Sequence, residues 1–387
     1  MLLLDNLEPA KKIEPTPFGR PGVIFDGSTG EATTPYSESP ASFEEFLEAA
    51  GMNPEEFEVI GTPRVSKWQQ KEGGDFLTSF RFTFRKRISG IDLPLLYAEA
   101  KKAVKKKGKT LQVQKTDKAL IVVWADSQTG KANDVRGGTP ELIQRVEEKI
   151  NLVEAHLKKN KYDQILFYNV GDSIEGFESG GNPMFTNDLS LMEQVDLEAT
   201  FEWSMLKTLV KYAPVRAASV GSNHCAWRTG KKVLGSPLDD WGIHIQRTLA
   251  RLAQEVGYTK EELSFYEPQP NDESLAIDVW GDGSFIAGLV HGHQASRPDQ
   301  IPNWWRGQSH GDQAIAQADL LIHGHFHHVR ITETGRRNGR SRWVVMAPAL
   351  DAGSSWFRLT SGEDSDPGLL IIPLEKGKEF TGTVYKL

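Results

Sequence analysis

Residues 320–328 read LLIHGHFHH, an apolar run that ends in four histidines within six residues. The whole chain has ten histidines, so this is a heavy local concentration. Side chains two residues apart on an extended segment point to the same side, and neutral histidine is a common ligand of transition metals. The stretch therefore predicts a buried strand that ends at a metal site, and other ligands are expected elsewhere in the chain.

The composition indicates a soluble globular protein. At 387 residues the chain has room for about two domains. A net charge of −7 excludes a uniformly basic surface, so any nucleic-acid contact must come from local patches. The single cysteine, Cys225, excludes an intramolecular disulfide and fits a reducing cytoplasm. No apolar run approaches the roughly 20 residues that span a bilayer, and no signal segment is evident, so we expect a cytoplasmic protein without a membrane partner.

The pattern along the chain predicts four segments. Residues 1–41, rich in Pro, Gly, Ser and Thr, are expected to form an extended or disordered arm. Residues 42–95 are predicted to be a small α+β module of unknown role, because a capping box opens at Ser42 and residues 76–85 alternate in strand fashion. Residues 96–117 contain a lysine-rich run and are predicted to be a basic linker, with a phosphate contact as the alternative. Residues 118–387 form the main domain.

The main domain alternates strand and helix patterns and then turns to hairpins. Buried-strand runs are predicted at 119–124, 164–170 and 216–220, with helices at 140–159, 197–212 and 239–256 between and after them. The later strands include two hairpins, one of them around Gly281-Asp282-Gly283. This order predicts an α/β sandwich whose sheet edges are antiparallel.

Polar side chains follow five of the apolar runs, each at the point where a strand should end. In open α/β sheets, sites form outside the carboxyl ends of the strands. Taken singly, Asp126 could cap a helix, Asp172 could belong to a turn, and His224 could be a surface residue. Five in succession predict a metal site. The groups that follow the runs are Asp126-Ser127-Gln128, Gly171-Asp172, Asn223-His224, His291-Gly292-His293 and His323-Gly324-His325-Phe326-His327.

In this order the five groups resemble the signature of the calcineurin-like metallophosphoesterases: D-x-H, G-D, G-N-H, H and G-H-x-H. The last and second motifs match in full, at residues 324–327 and 171–172. The third has Ser222 for the glycine and Cys225 for the acid, and Gln128 stands where the first motif usually has histidine. The resemblance implies a four-layer sandwich, two mixed β-sheets flanked by helices.

Within that superfamily, the sequence looks most like the SbcD-type DNA exonucleases, particularly the short versions found in bacteriophages. The features behind this narrowing are the length, Glu175-Gly176 after the second motif, and Trp304-Trp305. Nucleases of this type commonly dimerise and work with an ATPase. The resemblance therefore implies DNA, a second copy of the chain and an ATPase as partners.

The resemblance also implies a role for each residue. Asp172 would bridge two divalent metal ions. His224 would lie beside the scissile phosphate and stabilise charge or protonate the leaving oxygen, so that His224 and Asp172 are the expected catalytic residues. At the fourth motif His291 is preferred to His293, because it comes first after the strand. The remaining ligands would be Asp126, Gln128 and His327 for the first metal, and Asn223, His291 and His325 for the second.

Two cations that grip one phosphate would also activate a water for in-line attack on phosphorus. Mixed oxygen and nitrogen ligands favour Mn²⁺, with Fe or Zn as alternatives. An amide ligates transition metals more weakly than imidazole, so Gln128 predicts a weaker first metal. On the substrate side, aromatic and cationic groups could stack bases and hold phosphate, although packing and solvated arginine are equal alternatives. These candidates are Arg228, Trp304, Trp305 and Arg306.

The function expected from the sequence is therefore a metal-dependent phosphodiesterase that hydrolyses DNA, as an exonuclease or endonuclease. One alternative keeps the fold but changes the substrate, to a phosphomonoester, a nucleotide or a cyclic nucleotide. Another is a catalytically decayed binding protein, which Gln128 and Cys225 would favour.

Overall fold

The computed structural model describes residues 22–25, 29–35, 37, 42–69, 76–86, 115–132, 137–177, 187–229, 232–353 and 366–387. The chain divides into two compact units, Met1–Asp92 and Leu93–Leu387. All the predicted metal ligands belong to the second unit. Within the described ranges, the helices lack the combination of length and apolarity needed to cross a membrane.

The first unit is an antiparallel four-stranded sheet with one helix, and its strand order is β1-β2-β4-β3. The helix begins where the capping box predicted, with Ser42 accepting from the backbone of Glu45 and the Glu45 side chain accepting from Ser42. Phe82 and Phe84, on one face of the predicted strand, are buried with Phe43 of the helix. The elements are β1 (Gly22–Phe25), β2 (Thr29–Thr33), α1 (Phe43–Ala49), β3 (Phe57–Gln69) and β4 (Phe76–Lys86).

Two of these strands lie inside the segment that was predicted to be an arm. β2 pairs antiparallel with β4, so that Ala32 lies opposite Phe82 and is fully buried. The prediction of an arm over 1–41 is therefore corrected at residues 22–25 and 29–33. These short strands have little periodicity of their own. β2 is held by hydrogen bonds to β4, about 50 residues further on, and β1 pairs with β2. Residues 1–21 of the predicted arm and 96–114 of the predicted linker lie outside the described residues.

The second unit contains a mixed six-stranded sheet in the order β10-β7-β6-β5-β16-β17. The first four strands in that order are parallel, whereas β16 pairs antiparallel with β5 and β17 antiparallel with β16. The predicted antiparallel edge is therefore present. The strands are β5 (Lys118–Trp124), β6 (Gln164–Asn169), β7 (Val215–Ser219), β10 (Leu263–Tyr266), β16 (Leu370–Glu375) and β17 (Tyr385–Lys386).

A mixed five-stranded sheet, in the order β11-β12-β13-β15-β14, packs against the first. β12, β13 and β15 are parallel, and antiparallel hairpins close both edges. A separate two-stranded hairpin is formed by β8 (Arg228–Thr229) and β9 (Lys232–Val233). The five strands are β11 (Ser274–Asp278), β12 (Ile286–Val290), β13 (Leu320–His323), β14 (Arg330–Arg337) and β15 (Arg340–Met346).

The core is divided by the alternation of side chains along the strands. Along β5, Ile121 and Val123 face the second sheet, whereas Leu120, Val122 and Trp124 face the helices. A separate cluster lies on the outer side of the second sheet, beneath a short helix. The result is four layers, two mixed sheets flanked by helices, which confirms the predicted α/β sandwich. The helices are α2 (Thr139–Lys159), α3 (Leu191–Val210) and α4 (Trp241–Glu255) on the first sheet and α5 (Ile301–Gly307) on the second.

Candidate metal centre

The side chains predicted for the second metal position lie together. They come from the loops that follow β6, β7, β12 and β13, whose carboxyl ends meet at one edge of the two sheets. Nε2 of His291 lies 2.9 Å from Oδ1 of Asn223 and 3.1 Å from Oδ2 of Asp172. The ligand atoms of Asp172, His291 and His325 all lie within 4.8 Å of one another. These residues could therefore hold one metal ion between them.

The hydrogen bonds of His291 show that this cluster fits a cation. Nδ1 of its fully buried ring lies 2.8 Å from the carbonyl oxygen of Val170, so Nδ1 carries a proton and donates it. This is the usual arrangement of a metal-ligating histidine, whose second nitrogen donates to the backbone. Nε2 of His291 then faces the oxygens of Asn223 and Asp172. Burial opposes a charge on this ring, but the carboxylate of Asp172 outweighs it and raises the pKa of His291 to about 9, so Nε2 holds a proton in the place that a metal ion would take.

The ionisable groups of the cluster shift one another's pKa values. Burial opposes ionisation of Asp172, but the imidazoles of His291 and His224 outweigh it and hold the pKa of that carboxyl well below its usual value. Burial, and then the neighbouring His291, lower the pKa of His325, so its ring is neutral and offers a lone pair. His293 lies to one side, with its ring 6.4 Å from that of His325, and its Nε2 faces Glu273 at 3.6 Å.

The backbone of the site is strained at its ligand-bearing positions. Nine non-glycine residues in the described ranges have a positive φ, a backbone conformation that residues other than glycine rarely adopt. Five of the nine are predicted metal ligands. Such strain persists where the surrounding structure over-determines it, and it concentrates at functional sites. The five are Asp126 (φ 48°), Gln128 (φ 42°), Asp172 (φ 50°), His325 (φ 72°) and His327 (φ 61°).

Gly171 of the second motif is required by the close approach of two other loops. Its φ is +105°, and a Cβ there would lie 2.6 Å from Cβ of Ser222 and 2.7 Å from Nδ1 of His291. The backbone N–H of the next residue, Asp172, donates to Oγ of Ser222 at 2.8 Å. Ser222 therefore holds the backbone of Asp172 in place.

The residues predicted for the first metal position are less well arranged. Nε2 of His327 lies 3.4 Å from Oδ1 of Asp126, and both oxygens of Asp126 accept the backbone N–H of His325, at 3.0 and 3.1 Å. Oε1 of Gln128 accepts a hydrogen bond from Nζ of Lys131 at 2.6 Å. The same ammonium lies 2.7 Å from Oδ2 of Asp351. Neither Lys131 nor Asp351 was predicted.

Lys131 is charged although it is buried. Burial opposes the charge, but the carboxylates of Asp351, Glu175 and Asp126 outweigh it and raise the pKa of Lys131. The side chains of Lys131 and Asp351 are only 11% and 8% exposed. A permanent positive charge therefore lies beside the first metal position.

His224 lies between the second motif and Glu175. Its backbone N–H donates to Oδ1 of Asp172 at 2.9 Å, and Nδ1 of its ring lies 2.9 Å from the carbonyl oxygen of Glu175. Burial opposes protonation, but the carboxylates of Asp172 and Glu175 outweigh it and raise the pKa of His224 to about 10. The ring is therefore an imidazolium at neutral pH, as a proton donor must be. The contact with Glu175 is an arrangement that sequence reasoning missed.

A buried glutamate of α3 holds the loop of Asp126 and Gln128 from beneath. The carboxylate of Glu198 accepts hydrogen bonds from Nε1 of Trp124 (2.7 Å), Oγ of Ser127 (2.8 Å) and Oγ1 of Thr129 (2.6 Å). Burial raises its pKa to about 7, although the three donors act in the opposite direction. A glutamate in the middle of a helix carries no sequence signal for such a role.

The predicted substrate residues do not form one surface. Trp305 is 1% exposed, its Nε1 donates to the carbonyl oxygen of Ile315, and the guanidinium of Arg342 covers its ring at 3.7 Å from the centroid. No face of that ring is left for a base, which corrects its predicted role. Trp304 packs half-buried against the same cluster, and Arg306 is exposed.

Arg228 turns towards the protein. Its guanidinium donates to the carbonyl oxygen of Asn223 at 2.8 Å, so it supports the third loop. The more accessible aromatic side chain is that of Trp227, which is 53% exposed and was not predicted. His323 is buried, with Nδ1 2.9 Å from the carbonyl oxygen of Gly324, and Nδ1 of His328 lies 2.9 Å from that of Phe326.

Comparison with known proteins adds little information about this chain. No family model and no curated protein matches the sequence. Among solved structures, the chain is similar to a conserved uncharacterised protein from Streptococcus pneumoniae TIGR4, described as a predicted phosphoesterase. The two are 13% identical, the match covers 70% of this chain and 99% of that chain, and the TM-score is 0.25. At that score the likeness decides nothing further about this chain.

Proposed function

We propose that the protein is a metallophosphoesterase that hydrolyses phosphodiester bonds of DNA with the help of divalent metal ions. The observation that carries the proposal is the convergence of Asp172, Asn223, His291 and His325 on a few ångströms of space, next to the imidazolium of His224. Carboxylate, amide and imidazole side chains that meet at one sheet edge, some of them on a strained backbone, have few other uses.

The donor set indicates the kind of metal. Asp172 and Asn223 would supply oxygen, whereas His291, after loss of its proton to the metal ion, and His325 would supply imidazole nitrogen, a mixture that suits Mn²⁺, Fe or Zn better than Mg²⁺ or Ca²⁺. We favour Mn²⁺, which tolerates oxygen ligands. When bound, divalent ions would draw charge from a phosphate oxygen and lower the pKa of the attacking water.

His224 would supply the proton that the leaving group needs. The 3′ or 5′ oxygen of a nucleotide leaves poorly as an alkoxide, and a positioned acid lowers that barrier. The carbonyl oxygen of Glu175 fixes one ring nitrogen of His224, which leaves Nε2 on the side of Asp172, 3.9 Å from its Oδ2. The proton donor is therefore directed into the candidate metal centre.

An exposed aromatic surface favours nucleic acid over a small phosphomonoester. Trp227 comes three residues after His224 and leads into the β8–β9 hairpin. Val233 of β9 and Leu234, which follows it, are also about half exposed, at 51% and 49%. Aromatic side chains next to a phosphate site commonly stack bases of single strands. Homodimerisation and an ATPase partner stay predictions from the sequence.

Cleavage of labelled single- and double-stranded oligonucleotides tests the proposal, with Mn²⁺, Mg²⁺ and Zn²⁺ in parallel. p-Nitrophenyl phosphate and its bis ester serve as competing substrates. We expect Mn²⁺-dependent cleavage of DNA that falls about 10²- to 10⁴-fold in His224→Ala, because the general acid is lost. His310→Ala, which changes an exposed histidine, should keep the wild-type rate.

Other outcomes would favour the alternatives. Hydrolysis of the monoester without cleavage of DNA would identify a phosphomonoesterase. Binding of DNA without hydrolysis of any substrate under any metal would identify a decayed binding protein.

A further inference from the structure

The first metal position is contested by a side chain of the protein itself. Oε1 of Gln128, the atom that would ligate a metal, already accepts a hydrogen bond from the ammonium of Lys131 at 2.6 Å. That ammonium is held from the other side by Asp351 at 2.7 Å. Gln128 is thus engaged by a cation that belongs to the chain.

Asp351 is held in place by hydrogen bonds to the same loops and is not an exposed, mobile charge. Its backbone N–H donates to the carbonyl oxygen of Asp126 at 3.1 Å. Its Oδ2 accepts the backbone N–H of Gly353 at 3.0 Å, in addition to the ammonium of Lys131. The ion pair is therefore anchored directly to the residue that would ligate the first metal.

A metal ion on Gln128 would lie too close to Lys131. With an ordinary metal–oxygen bond, a cation on Oε1 would sit on the order of 4 Å from the ammonium. The two positive charges would repel in a site where both partners of the ion pair are nearly inaccessible to water. The second metal position has the opposite character, because the oxygens of Asn223 and Asp172 converge there on Nε2 of His291, at 2.9 and 3.1 Å, and no lysine or arginine side chain is hydrogen-bonded to these atoms in the described residues.

We propose that the Lys131 ammonium and a metal ion at the first position exclude one another, so that the protein holds one divalent ion tightly and a second one only when Lys131 leaves Gln128. This inference rests on the proposed metal centre and adds which cations the centre holds in the absence of substrate. One divalent ion lies among Asp172, Asn223, His291 and His325, and the ammonium supplies the second positive charge.

The experiment measures Mn²⁺ binding by isothermal titration calorimetry and by electron paramagnetic resonance, using metal-free full-length protein. Two Mn²⁺ ions in one site give an exchange-coupled spectrum, whereas one ion gives an uncoupled one. We expect wild type to bind one ion tightly and a second about a hundredfold more weakly, with an uncoupled spectrum at one equivalent.

Lys131→Met keeps the length of the side chain but removes the charge that competes for Gln128. In this variant we expect the second binding event to strengthen by about ten- to a hundredfold, with a coupled spectrum at two equivalents. The double variant Lys131→Met, Asp351→Asn removes both partners of the ion pair, so that Asp351 is not left as a buried carboxylate without its ammonium. It should show the same gain in affinity for the second ion.

The matched control is Lys376→Met, alone and with Asp282→Asn, because Lys376 and Asp282 form a half-exposed ion pair at 2.6 Å. The control variants should bind as wild type does.

The outcomes separate this inference from the proposed function. Two equally tight ions in wild type would overturn it, as would an unchanged second event in both Lys131 variants. A gain in Lys131→Met that disappears in the double variant would also overturn it, because the gain would then come from the bared carboxylate of Asp351. If wild type binds no Mn²⁺ at all, the proposed metal centre itself is wrong. Thermal melts show which variants are folded, and the double variant keeps the test valid if the single one is not.

Discussion

The replacement Glu198→Gln should change how stability depends on pH. Glu198 is fully buried, and its carboxylate accepts hydrogen bonds from Trp124, Ser127 and Thr129. Glutamine keeps the shape of the side chain. Its amide oxygen can accept from Trp124 and Ser127, and the Thr129 hydroxyl can rotate to accept from the amide nitrogen. The replacement therefore removes an ionisable group with little change in packing.

The sign and size of the effect come from the raised pKa. Burial raises the pKa of Glu198 from 4.5 to about 7. Between these two values the folded state holds a proton that the unfolded state has lost, so the free energy of unfolding falls as pH rises. Over roughly 2.5 units this costs wild type about 3 kcal/mol, at 1.36 kcal/mol per unit. The glutamine variant avoids the loss. The replacement also removes one of the two causes that raise the pKa of Glu202, which are burial and then the charge of Glu198.

The assay is thermal unfolding in chelator at pH values from 4.5 to 8.5. Relative to wild type, the melting temperature of Glu198→Gln should rise with pH by about 6 °C, since 1 kcal/mol shifts the melting temperature of a domain of this size by about 2 °C. Glu147→Gln removes an exposed carboxylate of α2 and should show a constant difference. A difference between wild type and Glu198→Gln that stays constant, or that falls towards high pH, would refute the reasoning.

Two further replacements test the packing around the site. Gly171→Ala should weaken Mn²⁺ binding at least tenfold in calorimetry, because the new Cβ would press on Ser222 and His291. The control is Gly377→Ala, also at positive φ but with open space around the new Cβ, and it should bind Mn²⁺ as wild type does. Trp305→Ala should destabilise the protein by about 3–5 kcal/mol in denaturant unfolding, as expected of a core tryptophan. Its folded fraction should bind oligonucleotides as wild type does, and a selective loss of DNA binding without loss of stability would show that Trp305 is a substrate residue.

Much of the second unit could be predicted from local patterns. Fully buried strands such as β5 appear as continuous apolar runs, and amphipathic helices such as α2 appear as stripes. α3 was predicted to begin at residue 197 but begins at Leu191, although Ser190 and Glu193 form a readable capping box. The strands β1 and β2 were missed because they have no clear pattern of their own: β2 is stabilised by pairing with the distant strand β4, and β1 by pairing with β2.

The five strand-end motifs could be predicted for a physical reason. A ligand that follows a parallel strand by one to four residues lies near the carboxyl edge of the sheet, wherever the rest of the chain goes. Local sequence was therefore enough to select Asp172, His291 and His325. It was not enough for the substrate surface, where the burial of Trp305 depends on its packing against Ile315 and Arg342.

The sequence by itself determined the buried strands of the second unit, the order of the motifs and the residues that reach the edge where the sheets meet. Only the tertiary structure decided what those residues meet there. Lys131 and Asp351 lie 220 positions apart in sequence, and Glu198 and Trp124 lie 74 apart. No local pattern encodes such pairs, because a charge at the site depends on which distant loops fold against it. The histidines of residues 320–328 therefore predicted a metal centre, but the ammonium beside Gln128 became visible only in three dimensions.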